Sequence, residues 1–332
     1  MPGVLAAGWV CRDVRCWQRA AGLGVAHTEG VEPAAAGELW DRAAARIGSA
    51  LGWRLRCLGT MGRAHGDRCT WLAQPGPGQV VVKAKAHGRT AEWAAWAGVA
   101  LPALAGRGYP VPQIIWHGPL DERWFVVVQG RLPGAPLEGL AAPVLDRLLA
   151  LVELQAGAGA STGGWDTSWW VGVVLFEGWE GWWEHTRAAA PHTARRLREY
   201  LEPAWGHRLP SVDVVHHNLN LSNVLARDGA ITGVVDWDDA GTGCRAVDLA
   251  TVLFEWHRLR LRGAAAVDPA GGKRLAARIT TIAGEAGLRC VISYAAVARL
   301  GLSALRGQQP QVRIWDQVAG AVLESLTHAR PD

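Results

Sequence analysis

The chain has 332 residues, 49% of them apolar and 19% charged, with 34 Lys and Arg against 30 Asp and Glu. That length accommodates two lobes around a large buried core, while a net charge of +4 leaves no electrostatic footprint for nucleic acid. No apolar run reaches the roughly eighteen residues of a membrane span, so neither nucleic acid nor membrane is expected as a partner.

The six cysteines include no C-x-x-C pair, which points to free thiols in a reducing cytoplasm rather than a zinc site. Met1 to Trp9 lacks the basic flank and apolar stretch of a secretory signal, and a cytoplasmic location is expected. Lysine occurs only as Lys83, Lys85 and Lys273, so chemistry that needs a Lys has three candidates.

Residues 1–52 are rich in Ala and Gly, and Leu39, Ala43, Ile47 and Leu51 recur at helical spacing in a helix expected from Glu38 to Leu51. These residues form a helical lead-in of no legible function. Trp53 to Leu58 alternates as a strand, Gly59 to Asp67 forms a glycine-bearing turn with Gly59 and Gly62, and Cys69–Ala73 and Gln79–Lys85 are two further strands. A glycine turn between strands lets main-chain N–H groups approach phosphates.

Val80-Val81-Val82-Lys83 resembles the V-A-I-K strand of kinases, whose Lys holds the α- and β-phosphates. Lys85 shares its strand face, but Lys83 fits the pattern better. A helix is expected over Thr90 to Ala105 with Thr90 as its cap and Glu92 in its first turn, placed to pair with Lys83 or simply to favour the helix dipole.

Ile114–Trp116 and Arg123–Gln129 are strands around a turn at Gly118 to Glu122. Five strands and one helix, in this order, match the N-lobe of a kinase. The exit, Val128-Gln129-Gly130-Arg131, stands where a hinge pairs with adenine. An apolar helix follows at Pro143 to Ala156, then a cluster of Trp165, Trp169, Trp170, Trp179, Trp182 and Trp183, then an Arg-rich helix over Glu184 to Trp205. With 19 Trp against three Phe and three Tyr, most of the cluster is expected in the core and one or two rings in a substrate wall.

His216-His217-Asn218-Leu219-Asn220-Leu221-Ser222-Asn223 follows the spacing of a kinase catalytic loop. Asp228-Gly229 joins two short apolar runs as a β-hairpin, and the second run ends at Asp236, where a metal-binding Asp belongs. Asn223 and Asp236 offer the oxygen ligands that Mg²⁺ prefers.

His216 to Leu225, Gly233 to Gly241 and Asp248-Leu249-Ala250 together resemble the aminoglycoside phosphotransferase and choline kinase-like superfamily, over roughly residues 53–260. The resemblance implies an α+β, bilobal protein-kinase-like fold. A small antiparallel-sheet N-lobe (53–131) and a mostly helical C-lobe (132–332) would hold ATP or GTP and Mg²⁺ in the cleft. It assigns the metal to Asn223 and Asp236, the nucleotide to Lys83, Glu92, the Gly59/Gly62 turn and the hinge Val128 to Arg131, the reacting position to Asn218 beside His216, and a structural role to Asp248.

Two positions depart from the family pattern. His217 replaces a Gly, and Asn218 replaces the catalytic Asp. An amide can hydrogen-bond a hydroxyl but cannot take up its proton, and losing a general base costs about 10²–10⁴ in rate. Three accounts fit Asn218: an inactivated variant, which retention of the remaining apparatus favours; a natural nucleotide-binding pseudokinase serving as a partner-binding module; or a slow enzyme relying on positioning. Gly241-Thr242-Gly243-Cys244-Arg245-Ala246 fits a dinucleotide fingerprint, but follows an acidic run that would repel a pyrophosphate.

Residues 151–332 hold 18 Lys and Arg against 19 Asp and Glu. A polycationic acceptor calls for a carboxylate excess, so a hydroxyl of a non-polycationic small molecule, or of a peptide Ser or Thr, is expected instead.

Overall fold

A computed structural model describes residues 33–61, 68–177 and 181–327. The chain divides into two compact units, Met1–Ala95 with Ile114–Arg131, and Trp96–Gln113 with Leu132–Asp332.

The first unit is built on a five-stranded antiparallel sheet of order β1-β2-β3-β5-β4: β1 Arg56–Thr60, β2 Arg68–Gln74, β3 Val80–Ala86, β4 Ile114–Pro119 and β5 Trp124–Gly130. Strand β2 alternates strictly, with Cys69, Trp71 and Ala73 buried, as period-two geometry requires of a strand covered on one face. Helix α1 (Pro33–Leu51) presents Ala36, Leu39, Ala43 and Ile47 to that face, together with Val80, Val82, Ala84, Val126 and Val128. The lead-in helix therefore supplies four of the thirteen buried residues of this core, and each buried Leu or Ile stabilises it by about 1.5–3 kcal/mol. Phe125 and Val127 point to the opposite face and meet Ala94 of α2 (His87–Gly106).

Three expectations shift here. Gly59 lies within β1 at a register irregularity, not in the turn, because β1 begins three residues later than its alternation suggests. Gly62 lies outside the described residues. Helix α2 starts at His87, so Thr90 is inside it and donates back to the Ala86 carbonyl at 2.7 Å. Ser and Thr bond to the preceding turn in this way, and Glu92 consequently falls beyond the first turn.

The second unit is mainly helical: α3 Ala142–Leu154, α4 Thr167–Phe176, α5 Trp182–Ala189, α6 Pro191–Leu201, α7 Ala246–Leu261, α8 Gly271–Leu305 and α9 Gln309–Thr327. Two small antiparallel sheets carry its loops. One pairs β7 (Asp213–Val215) with β10 (Gly241–Gly243); the other orders β6 (Ala135–Pro136), β8 (Val224–Arg227) and β9 (Ala230–Val234).

The Arg-rich segment expected as one helix is two, α5 and α6, because Pro191 opens a new helix after Ala190. Two of its arginines are engaged within the second unit. Arg196 pairs with Glu324 at 3.5 Å, and Arg198 lies over the rings of Trp183 and Trp205.

Helix α8 is long and apolar enough by composition to cross a membrane, although the sequence shows no uninterrupted apolar run. It bends at Gly284, and 67% of its apolar window is buried within the protein. Arg289 and Arg299 interrupt it.

Candidate active site

The site grows from the end of β7. Asp213 fixes the base of the strand: Oδ1 accepts the Gly157 N–H at 2.8 Å, and Oδ2 accepts the Arg245 main-chain and guanidinium N–H groups at 3.0 and 3.1 Å. Across the ladder, Gly241 and Gly243 of β10 have no room for a Cβ against Trp165 and Thr167. The G-x-G run thus serves close packing at the start of α4.

Beyond β7 the chain turns sharply, and His217 adopts φ 69°, a conformation costly for a residue with a Cβ. One buried carboxylate holds the turn. Asp248, in the first turn of α7, accepts the main-chain N–H of His216 at 2.9 Å, that of His217 at 2.8 Å and Nε2 of Gln155 at 2.8 Å. Burial pushes the Asp248 carboxyl above its ordinary range, against the pull of these hydrogen bonds. The family pattern implies a structural Asp248. Gln155, 93 positions away, carries no signal in the sequence.

His216 is fully buried. Its Nε2 donates to the Val235 carbonyl at 2.8 Å and its Nδ1 accepts the Asn218 N–H at 3.3 Å. Both partners together select the neutral Nε2–H tautomer. The ring lies 4.7 Å from that of Trp237, whose indole donates to the Val234 carbonyl at 2.8 Å. Tyr109 packs edge-on against Trp237 at 5.6 Å, and burial raises its hydroxyl pKa well above the ordinary value. The imidazole therefore ties the Asn218 loop to the strand end that leads into Asp236.

Asn218 is half-buried. Its carbonyl accepts the Asn220 N–H at 2.8 Å and Nδ2 of Asn223 at 3.0 Å, and its Oδ1 accepts Nδ2 of Asn220 at 3.1 Å. A carbonyl can only accept, so the Asn223 amide has one orientation, with Oδ1 directed away from the Asn218 carbonyl. The Asn223 carbonyl also accepts the Val235 N–H at 2.8 Å.

The β8–β9 hairpin pairs Val224 with Val234. It turns at Asp228 and Gly229 with φ 52° and 75°, the positive pair that a two-residue hairpin demands. Asp236 follows with φ 65° and is half-buried. An amide oxygen and a carboxylate at adjacent strand ends form a donor set suited to a hard cation that keeps further ligands from phosphate and water. Among the described residues no cluster of three or more His, Cys, Asp or Glu forms a metal cage.

In the first unit, Lys83 is buried on β3 opposite Val127 and Thr70, and Lys85 lies over the Trp93 ring. Glu92 is exposed and its carboxylate forms no ion pair among the described residues, so pairing with Lys83 rests on the family resemblance. Val128 and Gln129 sit inside the ladder, matched to β3 on one side and β4 on the other, whereas Gly130 is matched only to Val80 of β3. The Arg131 main-chain N–H in turn donates to the Gln79 carbonyl at 3.4 Å.

The model of the phosphotransferase enzyme family (APH) matches residues 63–279, while no curated protein matches the chain in sequence. Among solved structures, aminoglycoside phosphotransferase APH(4)-Ia aligns with a TM-score of 0.65 at 17% identity, covering 86% of this chain and 99% of that one. A thermostable variant of that enzyme, in ternary complex with ADP and hygromycin B, aligns at 0.59 and 16%, covering 85% and 98%. Macrolide 2′-phosphotransferase MphH from Brachybacterium faecium aligns at 0.52 and 22%, covering 90% and 99%. At these identities the likeness speaks to the fold, which is the protein-kinase-like α+β fold. With more than half of its length matched by the family model, the chain belongs to the phosphotransferase enzyme family.

Proposed function

We propose that the chain is a nucleotide-dependent phosphotransferase that moves the γ-phosphoryl group of ATP or GTP to a hydroxyl of a non-polycationic small molecule or a peptide Ser or Thr. Asn218 stands in place of the catalytic carboxylate. The observation that carries this reading is the hydrogen-bonded unit of Asn218, Asn223 and Val235-Asp236, locked through His216 and Asp248. A solved relative of the same fold holds ADP and hygromycin B, which supports nucleotide and hydroxyl acceptor as the two ligands.

In this reading Lys83 clamps the α- and β-phosphates, Gly130 and Arg131 meet the base, and Asn223 Oδ1 with Asp236 would hold Mg²⁺. That ion, when bound, neutralises charge on the transferring phosphates. Asn218 orients the acceptor hydroxyl and cannot accept its proton. His216, buried and doubly bonded, positions the loop.

Asn218→Asp is expected to raise the transfer rate about 10²–10⁴-fold with unchanged nucleotide affinity, measured by ADP release over a panel of hydroxyl acceptors and by calorimetry with ADP and Mg²⁺. Failure of both proteins to bind nucleotide overturns the reading. Nucleotide binding without transfer by the Asn218→Asp protein favours the second reading, which Asn218 itself motivates: a natural nucleotide-binding pseudokinase acting as a partner-binding module.

A further inference from the structure

The second unit contains a continuous strip of aromatic rings. Trp165 meets Trp170 at 5.5 Å between ring centroids and Trp169 at 6.2 Å. Trp170 meets Trp182 edge-on at 6.1 Å, Trp182 lies 6.5 Å from Tyr294, and Tyr294 stacks on His217 at 5.3 Å. The strip therefore runs from the start of α4 to the residue immediately before Asn218. Its far end is half-buried at Trp165, Trp169 and Trp170.

Packing accounts for part of this arrangement. Trp183, next along α5, is buried and donates Nε1 to the Leu175 carbonyl at 3.2 Å, as a core Trp should. Trp182 is different. It is 9% exposed, and its Nε1 is buried without a hydrogen-bond partner among the described residues. An unmet buried donor of this kind is disfavoured enough to be rare.

The residue is also held firmly. Thr186 Oγ1 donates to its carbonyl at 2.7 Å, and its main chain rests on Gly301 of α8, where a Cβ would come within 2.7 Å of that carbonyl oxygen. A fixed indole N–H in the middle of an aromatic strip is an arrangement awaiting an oxygen. Asp166, at the far end of the strip, is engaged by the Trp169 N–H and Ser211 Oγ, and the surrounding half of the chain has no carboxylate excess, so the complement is a flat apolar body without multiple positive charges.

Resting on the phosphotransferase reading, we propose that this strip is the acceptor-binding wall. Trp182 Nε1–H donates to an oxygen of an uncharged aromatic hydroxyl compound, such as an aryl glycoside. The flat body lies along Trp170 and Trp182, and the hydroxyl faces Asn218.

The test is calorimetric titration of p-nitrophenyl β-D-glucoside into the full chain saturated with ADP and Mg²⁺, with glucose and hygromycin B as comparators. Saturable binding of the aryl glycoside, tighter than either comparator, is expected. Trp182→Phe, which keeps a flat ring and removes the donor, weakens it about tenfold, and Trp170→Ala, at a half-exposed position, weakens it at least as much. ADP affinity stays unchanged in both variants, which also verifies that they fold.

A chain that binds ADP but not the aryl glycoside, that binds hygromycin B more tightly, or whose aryl glycoside affinity is indifferent to both substitutions overturns the proposal and leaves the phosphotransferase reading standing. A chain that binds no ADP overturns that reading and the acceptor role with it.

Discussion

A single carboxylate, Asp248, receives two consecutive main-chain N–H groups and a side-chain amide, and this convergence allows a residue with a Cβ to occupy the turn at His217. Removing it strands three buried donors, each costing about 1–3 kcal/mol. Asp248→Ala is therefore expected to lower stability by about 3 kcal/mol or more in urea denaturation and to accelerate hydrogen exchange at the His216 and His217 amides ahead of β7. Exchange that accelerates evenly across the second unit would mean that the carboxylate supports packing rather than the turn. The residue scale is also where the sequence is most readable: the family spacing of His216, Asn218 and Asn223 is written in consecutive residues.

Short elements differ in how far they can be read, for local reasons. The β8–β9 hairpin is legible because Asp228-Gly229 admits the two positive φ values that such a turn requires. The start of α2 is not, because Thr90 serves equally as a cap or as an in-helix donor to Ala86, and only the preceding ladder shows which. The break between α5 and α6 falls at Pro191, which opens α6, while Trp182 and Trp183 lie at the start of α5. Their packing on α8 depends on Gly301. Gly301→Ala places a Cβ within 2.9 Å of the Trp182 Cβ as well as near its carbonyl, so α5 and α8 must separate. A loss of about 1–3 kcal/mol, read as a lower melting temperature, is expected. An unchanged melting temperature would show that α5 has slack to move.

For the whole molecule, the helical unit carries its own acid sensitivity. His257 on α7 is buried beside Ser325 Oγ of α9 at 3.4 Å, and burial, with Arg260 nearby, lowers its pKa to about 4. The unfolded chain takes up that proton near pH 6.5 and the folded chain does not, so the stability held above pH 6.5 is lost as pH falls toward 4. The loss amounts to about 3 kcal/mol. His257→Gln should flatten this part of the profile when denaturation is followed from about pH 7.5 to about 4.5; an unchanged slope would assign it to other groups. Cys244 and Cys290, pushed up to about 11 and about 12 by burial, stay as thiols throughout that range.

By itself the sequence determined the family, the catalytic-loop spacing, the hairpin and the strand bearing Lys83, because each is written in consecutive residues whose backbone preferences are local. Only the tertiary structure decided that Asp248 and Gln155 hold the loop, that α1 completes the core of the first unit, that Tyr294 stacks on His217 and that Trp182 keeps an unmet donor. These depend on side chains brought together from distant parts of the chain, where packing and the satisfaction of buried polar groups act and residue spacing carries no information.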